Sequence, residues 1–349
     1  MASVSTAQLS RERRNAAVCC ALWTAIALSL FSAVSFANDS TAELVTGGLT
    51  FSRSADIEMR SEDLFISTQQ IRVTYRFFNH SNKDITELVA FPMPDVTVSN
   101  PDQSIAVPTD DSENILGFAT KVDGAPVVAK LEQKVLSRGV EHTALLRQLG
   151  VPLEPYLDVT NKALDDLPHE KWPELIKLGL ADTLDEDVGQ GMKTHLEARW
   201  TLKTTYYWQQ TFPAGRELSI EHTYKPSVGS SAVALLALPD AAKDPLYREY
   251  VAKYCIDRDF LASVNAAKSH SDVLPTEQRI SYILTTGANW AGPIQEFRLV
   301  VDKGAPNALV SFCAQGVRKI GPTQFEIRHS NFTPQSNLDI LLLTKRTNN

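Results

Sequence analysis

The chain has 349 residues, 34 Lys+Arg against 41 Asp+Glu, a formal net charge of −7 and 43% hydrophobic residues. That length supplies one large domain or two ordinary ones. The acidic balance, with both signs interspersed, argues against nucleic acid and anionic membrane surfaces as main partners.

The first predicted element is a targeting segment. Arg11, Arg13 and Arg14 precede an apolar run from Ala16 to about Phe31, and Ser35-Phe36-Ala37 puts small residues in the cleavage positions before Asn38. This is the secretory pattern, so residues 1–37 are expected to be removed and the rest to be periplasmic or secreted. An uncleaved anchor is the alternative. The run is short for a span, which needs about 20 apolar residues, and no later stretch is long and apolar enough for one. Cys19 and Cys20 open the apolar run instead of following it, which argues against a lipoprotein cysteine. Removal takes three arginines and one glutamate, leaving a formal charge of −9.

Asn38 to Glu43 reads as a polar start or short helix, and Leu44 to Phe51 as a strand after a bend. Ile57–Met59 and Leu64–Ile66 read as two short strands with Glu62 and Asp63 between them. Ile71, Val73, Tyr75 and Phe77 alternate with polar residues, the period of a half-buried strand. Asn79 to Asp84 is turn chemistry. Ile85 to Phe91 returns as the partner strand, with a bulge expected because its parity is not clean. Ser99 to Asn114 is a polar, acidic loop carrying Asp102, Asp110, Asp111 and Glu113. It lacks the ligand alternation of a calcium loop. Ile115–Val122 and Val127–Leu136 flank Asp123-Gly124 as a hairpin.

A helical insertion is expected over about 138–185, with helices at Glu141–Leu149, Pro152–Leu167 and Pro168–Leu178. Asp182 to Asp187 is acidic, and Gly189-Gln190-Gly191 reads as a flexible break. The stretch Trp200 to Pro226 then reads as two long strands joined by a tight turn. Trp200, Leu202, Thr204, Tyr206, Trp208 and Phe212 share one face, and Leu218, Ile220, His222 and Tyr224 share the other strand's inner face. Ala232 to Leu238 is strand or helix. Pro245–Lys253 and Asp257–Lys268 read as helices bracketing Cys255. Five strand candidates close the chain: Arg279–Thr286, Ile294–Asp302, Leu309–Cys313, Thr323–His329 and Leu338–Thr344, a spacing that suggests a sandwich.

Two cysteines survive maturation. In an oxidising compartment Cys255 and Cys313 are expected to form a disulfide; the sharper alternative is a catalytic thiol working with a histidine. The seven histidines form no His-Glu-x-x-His and no zinc spacing. No Gly-x-Ser-x-Gly elbow, phosphate loop or dinucleotide fingerprint is present. No catalytic residue, metal ligand or cofactor is therefore assigned. His222 points inward between Ile220 and Tyr224, either as a hydrogen-bonded core residue or as a base. Trp172, Trp208 and Trp290 are either core aromatics or a stacking platform for a sugar or peptide.

The segments NDSTAELVTGGL, DIEMRSEDLFIS, YRFFN, VAFPMPD, TTYYWQQTFPAG, EHTYKPSVG, YCIDRDF, VSFC and FTPQSNLDILLL resemble, as a set, an uncharacterised family of exported bacterial proteins, the domain of unknown function family 4424. The resemblance covers nearly all of the chain after residue 37 and carries no activity with it. More distantly, Ile71 to Lys130 is similar to the VIT domain of inter-alpha-trypsin inhibitor heavy chains, which implies a β-sandwich. The sequence departs from that pattern in its helical insertion and in lacking a downstream von Willebrand A metal site.

The fold expected is mainly β with helical insertions (α+β). An antiparallel β-sandwich-like module spans 38–231, and a helical connector with a smaller antiparallel β module spans 232–349. The expected function is a non-enzymatic exported module that binds or scaffolds a protein or cell-envelope component. The alternatives are an envelope-acting enzyme using a cysteine/histidine pair and a small-ligand carrier.

Overall fold

The computed structural model describes residues 38–45, 48–98, 104–106, 108–109, 111, 114–187, 189, 191–269 and 274–345. Residues 1–37, expected above to be a targeting segment, Asp102, Asp110 and Glu113 of the acidic loop, and His270 lie outside the described residues.

The polar start is a strand, not a helix: β1 (Ser40–Val45) pairs with β2 (Gly48–Phe51). β3 (Ile57–Ile66) is one ten-residue strand instead of two short ones. It pairs with β4 (Ile71–Asn79) across a register shift between Met59 and Ser61. The bulge thus falls in β3, while β5 (Ile85–Pro92) keeps an unbroken register. Short β6 (Val96–Thr97) and β7 (Ser104–Ile105) follow. β8 (Ala119–Val122) and β9 (Ala125–Val127) form the expected hairpin around Asp123 and Gly124, both at positive φ. The return strand does not continue it; β10 (Lys130–Ser137) leaves for another sheet and pairs there with β11 (Val140–Glu141).

The insertion holds α1 (Thr143–Gln148), α2 (Asp158–Asp165) and α3 (Trp172–Leu178). Gly179 ends α3 at φ 72°, a left-handed cap that suits glycine. The acidic stretch, to which the sequence assigns no element, is β12 (Ala181–Asp187), paired along its length with β13 (Met192–Ala198). A two-stranded ribbon with little burial has no apolar alternation to announce it.

β14 (Thr201–Phe212) and β15 (Glu217–Tyr224) present the inner faces that alternation predicts. They do not pair with each other: β14 lies between β10 and β5, and β15 between β4 and β8. The turn after Phe212 carries the chain from one sheet to another. β4 and β5 are likewise split between sheets. Alternation reports which face is buried, not whether the neighbour in sequence is the hydrogen-bonding partner.

β16 (Gly229–Ser231) leads to α4 (Tyr247–Lys253) and α5 (Arg258–Ser269). The chain ends in β17 (Thr276–Tyr282), β18 (Ile294–Asp302), β19 (Leu309–Phe312), β20 (Arg318–Lys319), β21 (Gln324–Phe332) and β22 (Leu338–Thr344).

Three larger sheets result, in orders β11-β10-β14-β5-β1-β2 with β6 on β14, β20-β21-β18-β3-β4-β15-β8-β9, and β19-β22-β17-β16-β7. Strands from both sides of residue 231 share the second sheet, where β18 runs parallel to β3. The architecture is mainly β, with open sheets and few helices.

The main core collects the inward residues of all three sheets, among them Phe77, Trp208, Ile220, Tyr282, Leu299 and Leu342. β22 is buried on both faces, Ile340 and Leu342 toward this core and Leu341 and Leu343 toward a smaller one with Tyr254, Ile256 and Val264. That is why its sequence is a continuous apolar run instead of an alternation. Each such side chain contributes about 1.5–3 kcal/mol. A separate core under the insertion holds Leu146, Leu164, Trp172, Leu175 and Trp200.

Candidate functional site

His222 lies on the inner face of β15 and is fully buried. Its Nδ1 is 3.0 Å from Thr120 Oγ1 and its Nε2 is 3.0 Å from Asp39 Oδ1. Phe118 stacks on the ring at 5.1 Å, with Phe91 and Trp208 at 4.8 and 5.3 Å. The connectivity Thr120–His222–Asp39 is that of a nucleophile relay. All three are buried in the core, so the arrangement holds strands together and has no face open to a substrate.

Asp39 belongs to a larger buried polar group. Asn38 Nδ2 donates to Glu62 Oε2 at 2.9 Å, and the Tyr75 hydroxyl donates to Asn38 Oδ1. Tyr75 and Tyr282 hydroxyls are 3.2 Å apart. Trp290 Nε1 donates to the Asp39 carbonyl at 2.7 Å. The residue inserted by the β3 bulge brings Glu62, with Leu64 and Ile66, onto the same buried face as Ile57 and Met59. Burial pushes the Glu62 carboxyl up to about 8, against the Asn38 hydrogen bond that lowers it. Burial also raises Asp39, with His222 opposing.

Of the predicted site residues, His222, Trp208 and Trp290 come together around Asp39, whereas Trp172 and the two cysteines lie elsewhere. Trp208 and Trp290 are buried in the main core and Trp172 in the core under the insertion, where His169 stacks on it at 4.3 Å. Cys255 and Cys313 stand at disulfide distance, S–S 2.09 Å and Cα–Cα 5.0 Å. His222 hydrogen-bonds to Thr120 and Asp39, not to either cysteine. Among the described residues no group of three or more His, Cys, Asp or Glu side chains could hold a metal ion. No helix of the described residues is long and apolar enough to cross a membrane.

One open cleft, between the sheets and α4, has a volume of about 310 Å³. Met93, Val96, Ile115 and Leu116 give it apolar walls, and α4 borders it with Glu249, Tyr250 and Lys253. Arg279 enters from β17, held to Glu277 and, at 3.0 Å, to Ser231 Oγ. Thr204, on the inner face of β14, lines the cleft with its hydroxyl buried and without a hydrogen-bond partner. Sequence reasoning missed these residues. They come from distant segments, and Thr204 carries no signal beyond sitting at an inward position among aromatics.

The profile described as "Domain of unknown function (DUF4424)" matches residues 37–341. This chain belongs to the DUF4424 family. The comparison with curated proteins found no match. Among solved structures, the DUF4424 chain overlaps a protein of Legionella pneumophila described as a "putative nutrient binding protein" at 16% identity and TM-score 0.45, covering 89% of this chain and 71% of that one.

A second buried carboxyl, outside both sites, gives a pH test. Glu154 is 2% exposed, and burial pushes its carboxyl up to about 7, against a hydrogen bond from the Tyr156 backbone. A carboxyl raised in the fold holds its proton better than in the unfolded chain. Its contribution is complete below the unfolded value near 4.5 and is lost as pH rises through about 7. Glu154→Gln is expected to remove up to roughly 3 kcal/mol of stability loss between pH 5 and 8. Urea unfolding at the two pH values checks this; a slope unchanged in the variant would show that Glu154 is ionised in the fold.

Proposed function

We propose that this is an exported, non-enzymatic binding module of the cell envelope, made with a cleaved signal segment 1–37, whose ligand is a short peptide seated in the cleft beneath α4. The observation that carries the reading is the Thr204 hydroxyl, buried and unpartnered in the cleft wall. Such groups are normally satisfied, and a peptide amide supplies the missing partner. The cleft has the size of a small-molecule site, and its apolar walls alternate with polar and charged side chains, among them Asp95, Ser227, Glu249, Lys253 and Arg279. Lys253 and Glu249 at its border offer both signs to a peptide's charged ends. The family match beginning at residue 37 agrees with a functional chain that starts near Asn38.

The test starts with native mass spectrometry of protein from the exported fraction, followed by denaturing mass, to find a peptide lost on unfolding. Calorimetry with a panel of di- to pentapeptides follows. Thr204→Val keeps the shape and removes the hydroxyl. It is expected to weaken binding roughly tenfold, the worth of about one hydrogen bond, without lowering stability. Ser227→Trp fills the cleft and is expected to abolish binding. Equal affinity in wild type and both variants would overturn the assignment of the cleft.

A further inference from the structure

We propose that the buried pocket formed by Asp39, Glu62, Tyr75 and Tyr282 is a receptor for the α-ammonium group of Asn38, released when segment 1–37 is cleaved. The inference rests on the export and cleavage part of the proposed function and is independent of the cleft.

The pocket is built for a cation. Asp39 and Glu62 are 0% and 1% exposed. Asp39 Oδ2 and Glu62 Oε1 are both buried without a hydrogen-bond partner. No lysine or arginine among the described residues forms an ion pair with either; His222 meets only the other oxygen of Asp39. Two buried carboxyls with an orphaned oxygen each are costly unless a positive charge joins them. Burial and their mutual repulsion already hold Glu62 toward its protonated form. Tyr75 and Tyr282, raised by the same burial, stay neutral and supply no charge.

Asn38 is already inside this pocket. Its Nδ2 donates to Glu62 and its Oδ1 accepts from Tyr75 and from the Asp39 backbone N–H at 3.1 Å. Gly287 leaves the space: a Cβ there would stand 2.7 Å from Asn38 Nδ2. The α-nitrogen is joined to that anchored side chain by a few covalent bonds. Asn38 is fully buried in the uncleaved chain, so an ammonium freed at that position and kept there by the side-chain hydrogen bonds is expected to pair with a carboxylate.

Hydrolysis of the Ala37–Asn38 bond by a signal peptidase adds the hydroxyl of water to the Ala37 carbonyl and a hydrogen to the Asn38 nitrogen. That amine takes a further proton near neutral pH. Glu62 then gives up its own proton and pairs with the ammonium. Cleavage therefore does more than release the chain: it supplies the charge that completes the core, and the uncleaved chain lacks this lock.

Three chains test this: one processed to begin at Asn38, one retaining Ala37, and the Asn38 chain with a blocked amine. The processed chain is expected to melt on the order of 5 °C above the other two, the loss that follows from unpairing a buried charge. Glu62→Gln is expected to close the gap. Should that variant fail to fold, the wild-type chain still decides: its α-amine should resist an amine-acylating reagent in the folded state and react on unfolding. Equal melting of all three chains, or acylation at the rate of a free peptide amine, overturns the receptor. N-terminal sequencing separates the failures. A first residue other than Asn38 removes the cleavage reading, whereas Asn38 first with no stability gap removes the receptor alone.

Discussion

Trp290→Ala is expected to destabilise the protein by about 3–5 kcal/mol, the range for deleting a large aromatic from a packed core. The ring is 3% exposed and lies 4.5 Å from Phe77 and 5.9 Å from Phe212, centroid to centroid. It also donates to the Asp39 carbonyl, so it fastens the segment before β1 to the loop before β18. Trp290→Phe separates the two contributions. Phenylalanine keeps much of the contact with Phe77 and leaves the Asp39 carbonyl without its donor, about 1–3 kcal/mol. Urea unfolding with the slope checked for two-state behaviour measures both. An alanine variant within 1 kcal/mol of wild type would mean that the ring is not packed as described; a phenylalanine variant as damaging as alanine would move the whole effect onto the hydrogen bond.

The faces of the strands were legible in the sequence and their partners were not. Leu202, Tyr206, Trp208 and Phe212 are buried as their parity requires, and so are Leu218, Ile220, His222 and Tyr224. The pairing of β14 with β15 failed because a short turn serves equally well as a hairpin or as a crossing between sheets. The helices of the insertion were readable from spacing and from Gly150 and Gly179, both at positive φ. β12 and β13 were not, since a polar ribbon has no buried face to create a period. The buried polar group was hidden for a different reason. One extra residue in β3 reverses the parity at Glu62, and a bulge cannot be placed from one strand when its register depends on the other. Asn38 and Asp39 looked like an ordinary polar start, because nothing local says that two polar residues ahead of a strand are to be buried.

Reducing the Cys255–Cys313 pair is expected to lower stability by about 4 kcal/mol, from the entropy of the 58-residue separation it closes. In a chain of this size that is a fall of about 5–10 °C in melting temperature. The loss should be local before it is global. Cys255 follows α4, and Cys313 follows the edge strand β19, where Ser311 Oγ donates to the Tyr254 carbonyl at 2.8 Å. Beneath them the small core of Leu236, Tyr254, Ile256 and Val264 contains far fewer buried groups than the main one. α4 is therefore held to the sheets by a thin apolar layer, the Ser311 hydrogen bond, a Lys253–Asp339 ion pair at 3.5 Å and one covalent link. It is also a wall of the cleft, through Glu249, Tyr250 and Lys253. Hydrogen exchange on the Cys255→Ser/Cys313→Ser protein should rise first over residues 247–269 while β4 and β14 stay protected. Peptide affinity should fall with it, because a wall that moves must be ordered again on binding. Loss of protection spread evenly over the three sheets would instead make the link a global constraint. Faster exchange in α4 with unchanged affinity would place the ligand on the β14 side of the cleft, against Thr204 alone.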